Sequence, residues 1–418
     1  MIKICSLNLL LFVTIGICKY SVYARKHEKL KEVFSWKQIG YKINGYSYRN
    51  SSDYEYKPHA VYFEEDLEER ERFFIQPNNV PIGFEVYNEK IFVTVPRRRY
   101  GIPSTLNYVT RGEKSPYLKP YPDMMRSRHL FSVYRPRVDV CDRLWMVDTG
   151  HLEVPNDRRQ IQPPSIVIFD LKTDTQIHKH VLDPSVLVSN RTSAGLTSIT
   201  VDVDPHKCDD AYAYINDLAT EGLVVYSLKE DRSWRLEHPS FRHNDAAMNF
   251  TAAGHVINWR DGLFSVALAR RLGNTLAYYH PLVSTQEFAI STNKLKTGGP
   301  LDELNPALGD AGPNTQRGSH DIHSPTNIMF FANVAQAAVM CWNINTAYNG
   351  NNLQIVAQDT NRLGYISDLK VRGDDVWLLA NQIPKFVYNT QNINEYNYFI
   401  MRGSVQELIA GTKCLQPI

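Results

Sequence analysis

Six short apolar runs recur along the chain, and no other feature restricts its fold as strongly. They occupy residues 91–95, 144–148, 213–217, 276–280, 328–333 and 376–381. Each is rich in Val, Ile, Tyr, Phe or Trp and is bounded by Gly, Pro, Asn or Asp, which is how a buried strand reads. Amphipathic stretches of helical period and ten or more residues are scarce. The runs begin roughly 50 to 70 residues apart, and further strand-like segments such as 223–228 follow them. This rhythm predicts an all-β chain, a six-bladed β-propeller with about 40–50 residues per blade plus insertions. A two-domain sandwich would need a divide, and no Pro- or Gly-rich linker supplies one.

Several runs end abruptly in polar residues: Asp148, Asn216 with Asp217, Asn333 and Asn381. Asn and Asp favour turns, which accounts for any one of them. Read as the innermost strands of successive blades, however, the runs would bring these side chains together around one mouth of the axial channel.

The N-terminus has a leader's pattern. Lys3 precedes an apolar run over 7–17, and small residues follow up to Ala24. A signal peptide is predicted over 1–24, since the run falls short of the ~20 residues a membrane span needs. Residues 25–36 are expected to form a loose arm and 37–418 the propeller. Loss of Lys3 and Lys19 leaves 44 basic against 44 acidic residues. That balance gives no electrostatic footprint for nucleic acid or a membrane surface; the Arg97-Arg98-Arg99 cluster reads as a solvated turn.

Cys5 and Cys18 depart with the leader, and Cys141, Cys208, Cys341 and Cys414 remain. An even set without C-x-x-C spacing points to disulfides in an oxidising compartment rather than zinc. Three pairings are possible. Sequential pairing is preferred, because it staples neighbouring segments. Sequons at Asn50, Asn190 and Asn249 fit a secreted, extracellular glycoprotein. No nucleophile elbow, P-loop, H-E-x-x-H or dinucleotide fingerprint occurs.

The segments IFVTVPRRRYGIPSTLNYV (91–109), YRPRVDVCDRLWMVDTG (134–150), AYAYINDLATEGLVVYSL (211–228), CWN (341–343) and ELIAGTKC (407–414) carry a resemblance. Together they resemble the yellow / major royal jelly proteins of insects, over nearly the whole chain after the leader. The resemblance implies a six-bladed propeller with two disulfides. The segments VPRRRYGIPSTLNYV, LEVPNDRRQIQPPSI and CDDAYAYINDL look most like the yellow-f type, which is associated with dopachrome conversion in melanin synthesis. A salivary branch binds biogenic amines, and the royal jelly branch is nutritional. By motif, the hydroxyl and amide of the amine binders correspond to Ser367 and Asn381, and their aromatic walls to Tyr134 and Phe264. Ile383 stands where those binders carry a further ring, which removes a stacking face worth about 1 kcal/mol.

Dopachrome tautomerisation is driven by aromatisation and requires neither metal nor redox cofactor. It needs a base, a donor for the developing phenolate and a stacking surface. His320, Asp148, Asp217 and Asp368 are the candidate bases, and Arg260 a candidate partner for a substrate carboxylate. The expected partner is thus a small catechol, indole precursor or amine. The alternatives to an enzyme are a non-catalytic carrier of such molecules and a structural or nutritional secreted protein.

Overall fold

All six apolar runs are strands, but each is the second of its blade, not the first. A computed structural model describes residues 29–50, 67–271, 273–301 and 305–415. Blade I comprises Gly83–Tyr87, Lys90–Thr94, Leu106–Thr110 and Lys119–Pro120, and blade II Arg137–Val138, Arg143–Asp148, Ser165–Asp170 and Thr175–Val181. Blade III follows with Leu196–Asp202, Tyr212–Asp217, Gly222–Ser227 and Arg232–Glu237. Blade IV is built on Leu263–Arg271, Asn274–Pro281 and Gln286–Ser291, with short strands at its edge. Blade V contains Arg317–His323, Ile328–Asn333, Ala338–Asn343 and Leu353–Gln358. Ile366–Arg372, Asp375–Ala380 and Tyr398–Ser404 begin blade VI.

The second strands read as continuous apolar runs because both of their faces are covered by neighbouring blades. Between blades II and III, for example, Trp145, Val147, Ile166 and Ile168 pack on Ile199, Ala213, Ile215 and Val224. The innermost strands carry polar sequences such as RGSHDIH and ISDLKVR, and are equally buried. Along the axis their charges pair with one another. Arg137 Nη1 donates to Asp321 Oδ2 (2.8 Å), Arg372 Nε to Glu85 Oε1 (2.7 Å) and Lys370 Nζ to Asp368 Oδ1 (3.1 Å).

Of the predicted arm, residues 25–28 lie outside the described residues, and 31–36 are not loose. Lys31–Trp36 is the outer strand of blade VI and pairs antiparallel with Tyr398–Ser404, so both ends of the chain close the ring. Phe34 and Trp36 are almost wholly buried there, a gain no free arm would have. The cysteines pair sequentially: Cys141–Cys208 links blades II and III, and Cys341–Cys414 ties blade V to the C-terminal segment. The predicted leader lies outside the described residues, among which no helix is long and apolar enough to cross a membrane. Of the three sequon asparagines, Asn50 and Asn249 are exposed.

Candidate functional site

On one side of the ring, the starts of the inner strands and the ends of the second strands surround a cavity of about 430 Å3. That lies within the roughly 300–1,000 Å3 of small-molecule sites. Tyr134 and Arg135 reach it from the approach to blade II, and Glu153 and Arg158 from a hairpin inserted in the same blade, His151–Val154 with Asp157–Gln160. Trp259, Asp261 and Phe264 enter at the start of blade IV, and Tyr365, Ser367, Asn381 and Ile383 from blade VI. Arg98, from the segment after the second strand of blade I, completes the wall. Close approach of backbones makes this geometry possible: a Cβ at Gly83 would lie 2.3 Å from the carbonyl oxygen of Tyr134. Only glycine fits there.

Asp261 is the carboxylate that stands apart. It is partly buried, and among the described residues its side chain takes part in no hydrogen bond or ion pair. Burial pushes its carboxyl up to about 6, against the pull of Arg98 and Arg135. Arg135 is fixed beside it. Its Nε donates to Ser367 O (2.7 Å) and its Nη1 to Thr197 O (3.1 Å), and the guanidinium lies 4.6 Å over the ring of Phe264. The Tyr134 hydroxyl donates to Glu153 Oε1, and burial followed by that carboxylate raises the phenol well above its usual range. Trp259 and Tyr365 have ring centroids 6.4 Å apart and add aromatic surface.

The structure sorts the residues singled out in the sequence. Tyr134, Phe264, Ser367, Asn381 and Ile383 do line the cavity. The polar atoms of two of them are already engaged. Ser367 Oγ donates to Ile82 O (2.6 Å), while Asn381 Nδ2 donates to Pro81 O (2.8 Å) and Asn381 Oδ1 accepts from Ile383 N (3.1 Å). The amide that ends the 376–381 run therefore latches blade VI to blade I, and faces the cavity only as part of its wall.

The four candidate bases of the sequence lie elsewhere. Asp148 is wholly buried and accepts from the N–H groups of Phe131, Ser132 and Gly150 and from Gln162 Nε2, so it organises the loop below the hairpin. Asp368 accepts from Phe84 N (3.1 Å) and Lys370 Nζ in the axial network. His320 sits on the inner strand of blade V rather than in a loop, its ring stacked on Phe331 at 5.7 Å with Nδ1 bonded to Ser265 Oγ. Asp217 is likewise taken, by Thr220 and Arg235. The three carboxylates accept from donors within or between blades, the imidazole is enclosed by Ser265, Phe331 and Glu287, and none of the four lines the cavity. Arg260 is exposed and outside the lining, although its neighbours Trp259 and Asp261 belong to it. Arg98 is therefore part of the cavity wall rather than of a solvated turn, and Asp261 faces the cavity rather than pairing with Arg260.

One buried cluster has a metal site's donor set. Ligand atoms of His280, Glu287 and His320 lie within 4.8 Å of one another. Arg317 Nη2 stands 3.6 Å from Glu287 Oε2, and His280 Nε2 is bonded to Gly318 O. The guanidinium already supplies the positive charge that a cation would bring.

The major royal jelly protein pattern matches residues 131–414. The chain belongs to that family. It is 36% identical over 92% of its length to L-dopachrome tautomerase yellow-f of Drosophila melanogaster, covering 94% of that protein. To dopaminechrome tautomerase of the same fly it is 32% identical, over 82% of this chain and 78% of the relative. The family thus includes proteins named for dopachrome conversion. Among solved structures, virginiamycin B lyase from Staphylococcus aureus aligns with 78% of this chain and 95% of its own at 9% identity and a TM-score of 0.43, a likeness that bears on neither ligand nor chemistry. Tyr134, Asp261, Phe264 and Ser367 fall within the royal jelly pattern, whereas Arg98 lies before it.

Proposed function

We propose that this is a secreted dopachrome-converting enzyme, a tautomerase acting in melanin synthesis, with Asp261 as its base. In the net reaction one C–H proton leaves the carbon bearing the carboxylate and one leaves its neighbour. Each quinone oxygen gains a proton, and the five-membered ring becomes aromatic. Nothing is oxidised or reduced from outside. The carrying observation is the unpartnered Asp261 carboxylate, raised to about 6, inside a cavity with aromatic walls. It is mostly ionised at pH 7 yet more basic than an ordinary Asp, which suits proton abstraction. Phe264, Trp259 and Tyr365 offer surfaces for a flat bicyclic quinone. Arg135, held by two carbonyl oxygens, places a fixed positive charge where a phenolate develops. The protons for the quinone oxygens come from solvent at the mouth.

Purified protein mixed with fresh dopachrome should speed the loss of its visible absorbance over the blank. Asp261→Asn should lose about 10²–10⁴-fold of that acceleration. Decay equal to the blank with the unaltered protein would refute the enzymatic reading. A carrier of cationic amines is the second reading. Against it stand the four arginines of the cavity lining, Arg98, Arg135, Arg158 and Arg191, facing only Glu153 and Asp261. Calorimetric titration with dopamine and serotonin tests it.

A further inference from the structure

Among the described residues, His151 is the one imidazole of the cavity lining, and the proposed chemistry leaves it unused. It opens the inserted hairpin, where alternation along the strand turns His151 and Glu153 to the cavity and Leu152 and Val154 away from it. Gln160 stands directly across from His151. The Gln160 amide nitrogen donates to Thr149 O (2.7 Å) and Gln162 O (2.6 Å), so its amide oxygen is the atom that meets His151 Nδ1 at 3.3 Å. An amide oxygen only accepts. In the neutral ring Nδ1 therefore carries the proton and Nε2 keeps a lone pair. His151 is only 6% exposed. Its Nε2 has no hydrogen-bond partner among the described residues and is not sealed off by protein, so the lone pair opens on the cavity.

We infer that His151 Nε2 accepts the ring N–H of a flat bicyclic substrate, and so sets how that substrate lies in the cavity. This rests on the tautomerase reading of the same cavity. An aminochrome with any carboxyl group ionised has a single hydrogen-bond donor, that N–H, while its quinone oxygens accept and suit the arginines of the wall. The nitrogen belongs to the five-membered ring, and the quinone oxygens lie on the opposite edge of the bicycle. Anchoring the nitrogen turns the five-membered ring to the hairpin of blade II, with Asp261 entering from blade IV, and leaves the quinone edge to meet solvent. His151 is thus a binding residue and takes no proton from carbon.

The test has two arms. Calorimetry at neutral pH follows binding of indole and of 1-methylindole, neither of which reacts, to the unaltered protein, His151→Leu and His151→Gln. The unaltered protein should bind indole roughly 5–10-fold more tightly, the worth of one hydrogen bond. His151→Leu should abolish that preference by weakening indole alone. His151→Gln should restore part of it, because its amide oxygen reaches the place of Nε2. In the second arm, kcat/KM is compared for dopachrome and its N-methyl counterpart. The methyl group should cost the unaltered enzyme a similar factor, chiefly in KM, and His151→Leu should penalise only the N–H substrate. Equal binding of the two probes by the unaltered protein, binding of neither, or a preference that survives in His151→Leu overturns the inference. So does a loss in His151→Leu that strikes both probes alike, which is what a merely structural role would give. No turnover with the probe preference intact refutes only the tautomerase reading, whereas turnover without that preference refutes only the role of His151.

Discussion

Asp261→Asn should make this protein less active and more stable at once. A carboxyl moved from its model value of 3.8 to about 6 is one whose charged form the fold disfavours. For such a group the folded state binds the proton more tightly than the unfolded chain. The penalty is therefore absent below pH 3.8, grows as pH rises, and is complete above about 6. Two units correspond to about 3 kcal/mol, and the partial exposure of Asp261 to the cavity reduces this to about 1–2 kcal/mol. Asparagine keeps the shape and cannot ionise. Urea unfolding at pH 7 should show the variant more stable by that amount, with the difference vanishing near pH 4. In parallel, kcat/KM of the unaltered enzyme should fall about tenfold between pH 7 and pH 5, tracking ionisation of a group near 6. A variant equally active, or one destabilised at pH 7, would refute the reasoning that links burial of this carboxylate to its chemistry.

Asp368→Ala should cost about 3–5 kcal/mol in chemical denaturation, because it leaves Lys370 charged and unpaired on the axis; a loss below 1 kcal/mol would return Asp368 to the list of bases. Glu287 is buried, which opposes its ionisation, yet His280 and His320 hold it down to about 2. Its contribution is complete above the unfolded value of 4.5 and drains away as pH falls toward 2, so Glu287→Gln should flatten the acid limb of a stability-versus-pH curve over that window. Replacing Cys341 and Cys414 together by Ala should lower stability by about 4 kcal/mol on the chain-entropy model for a separation of 73 residues, read from the denaturation midpoint.

Part of the site was legible in the chain because its residue types are distinctive. Tyr134, Phe264, Ser367, Asn381 and Ile383, which correspond by motif to residues of the amine binders, all line one cavity. What their polar atoms do was not legible. Ser367 and Asn381 donate to carbonyl oxygens of residues 82 and 81, which are 285 and 300 positions away in the chain. Spacing gives no sign of such a partner. Asp148, Asp368 and His320 have the residue types of a base, and only the fold shows the two carboxylates turned to donors, the imidazole enclosed beside Phe331 and Glu287, and all three away from the cavity lining.

The sequence by itself determined the number of blades, an even set of cysteines suited to disulfides, and the family; their pairing came with the fold. Apolar runs buried on both faces must recur wherever a blade meets its neighbours, and that periodicity survives in one dimension. Which strand is innermost was decided by tertiary structure, because the axial strands are polar and pair their charges across the ring: Arg137 with Asp321, Arg372 with Glu85. No local pattern announces such a strand. The cavity's chemistry belongs to the same level. Arg98 and Asp261, far apart in the chain, become neighbours only when the blades they adjoin are arranged around one cavity, and a carboxyl near 6 exists only where burial has removed the water that would hold it at 3.8.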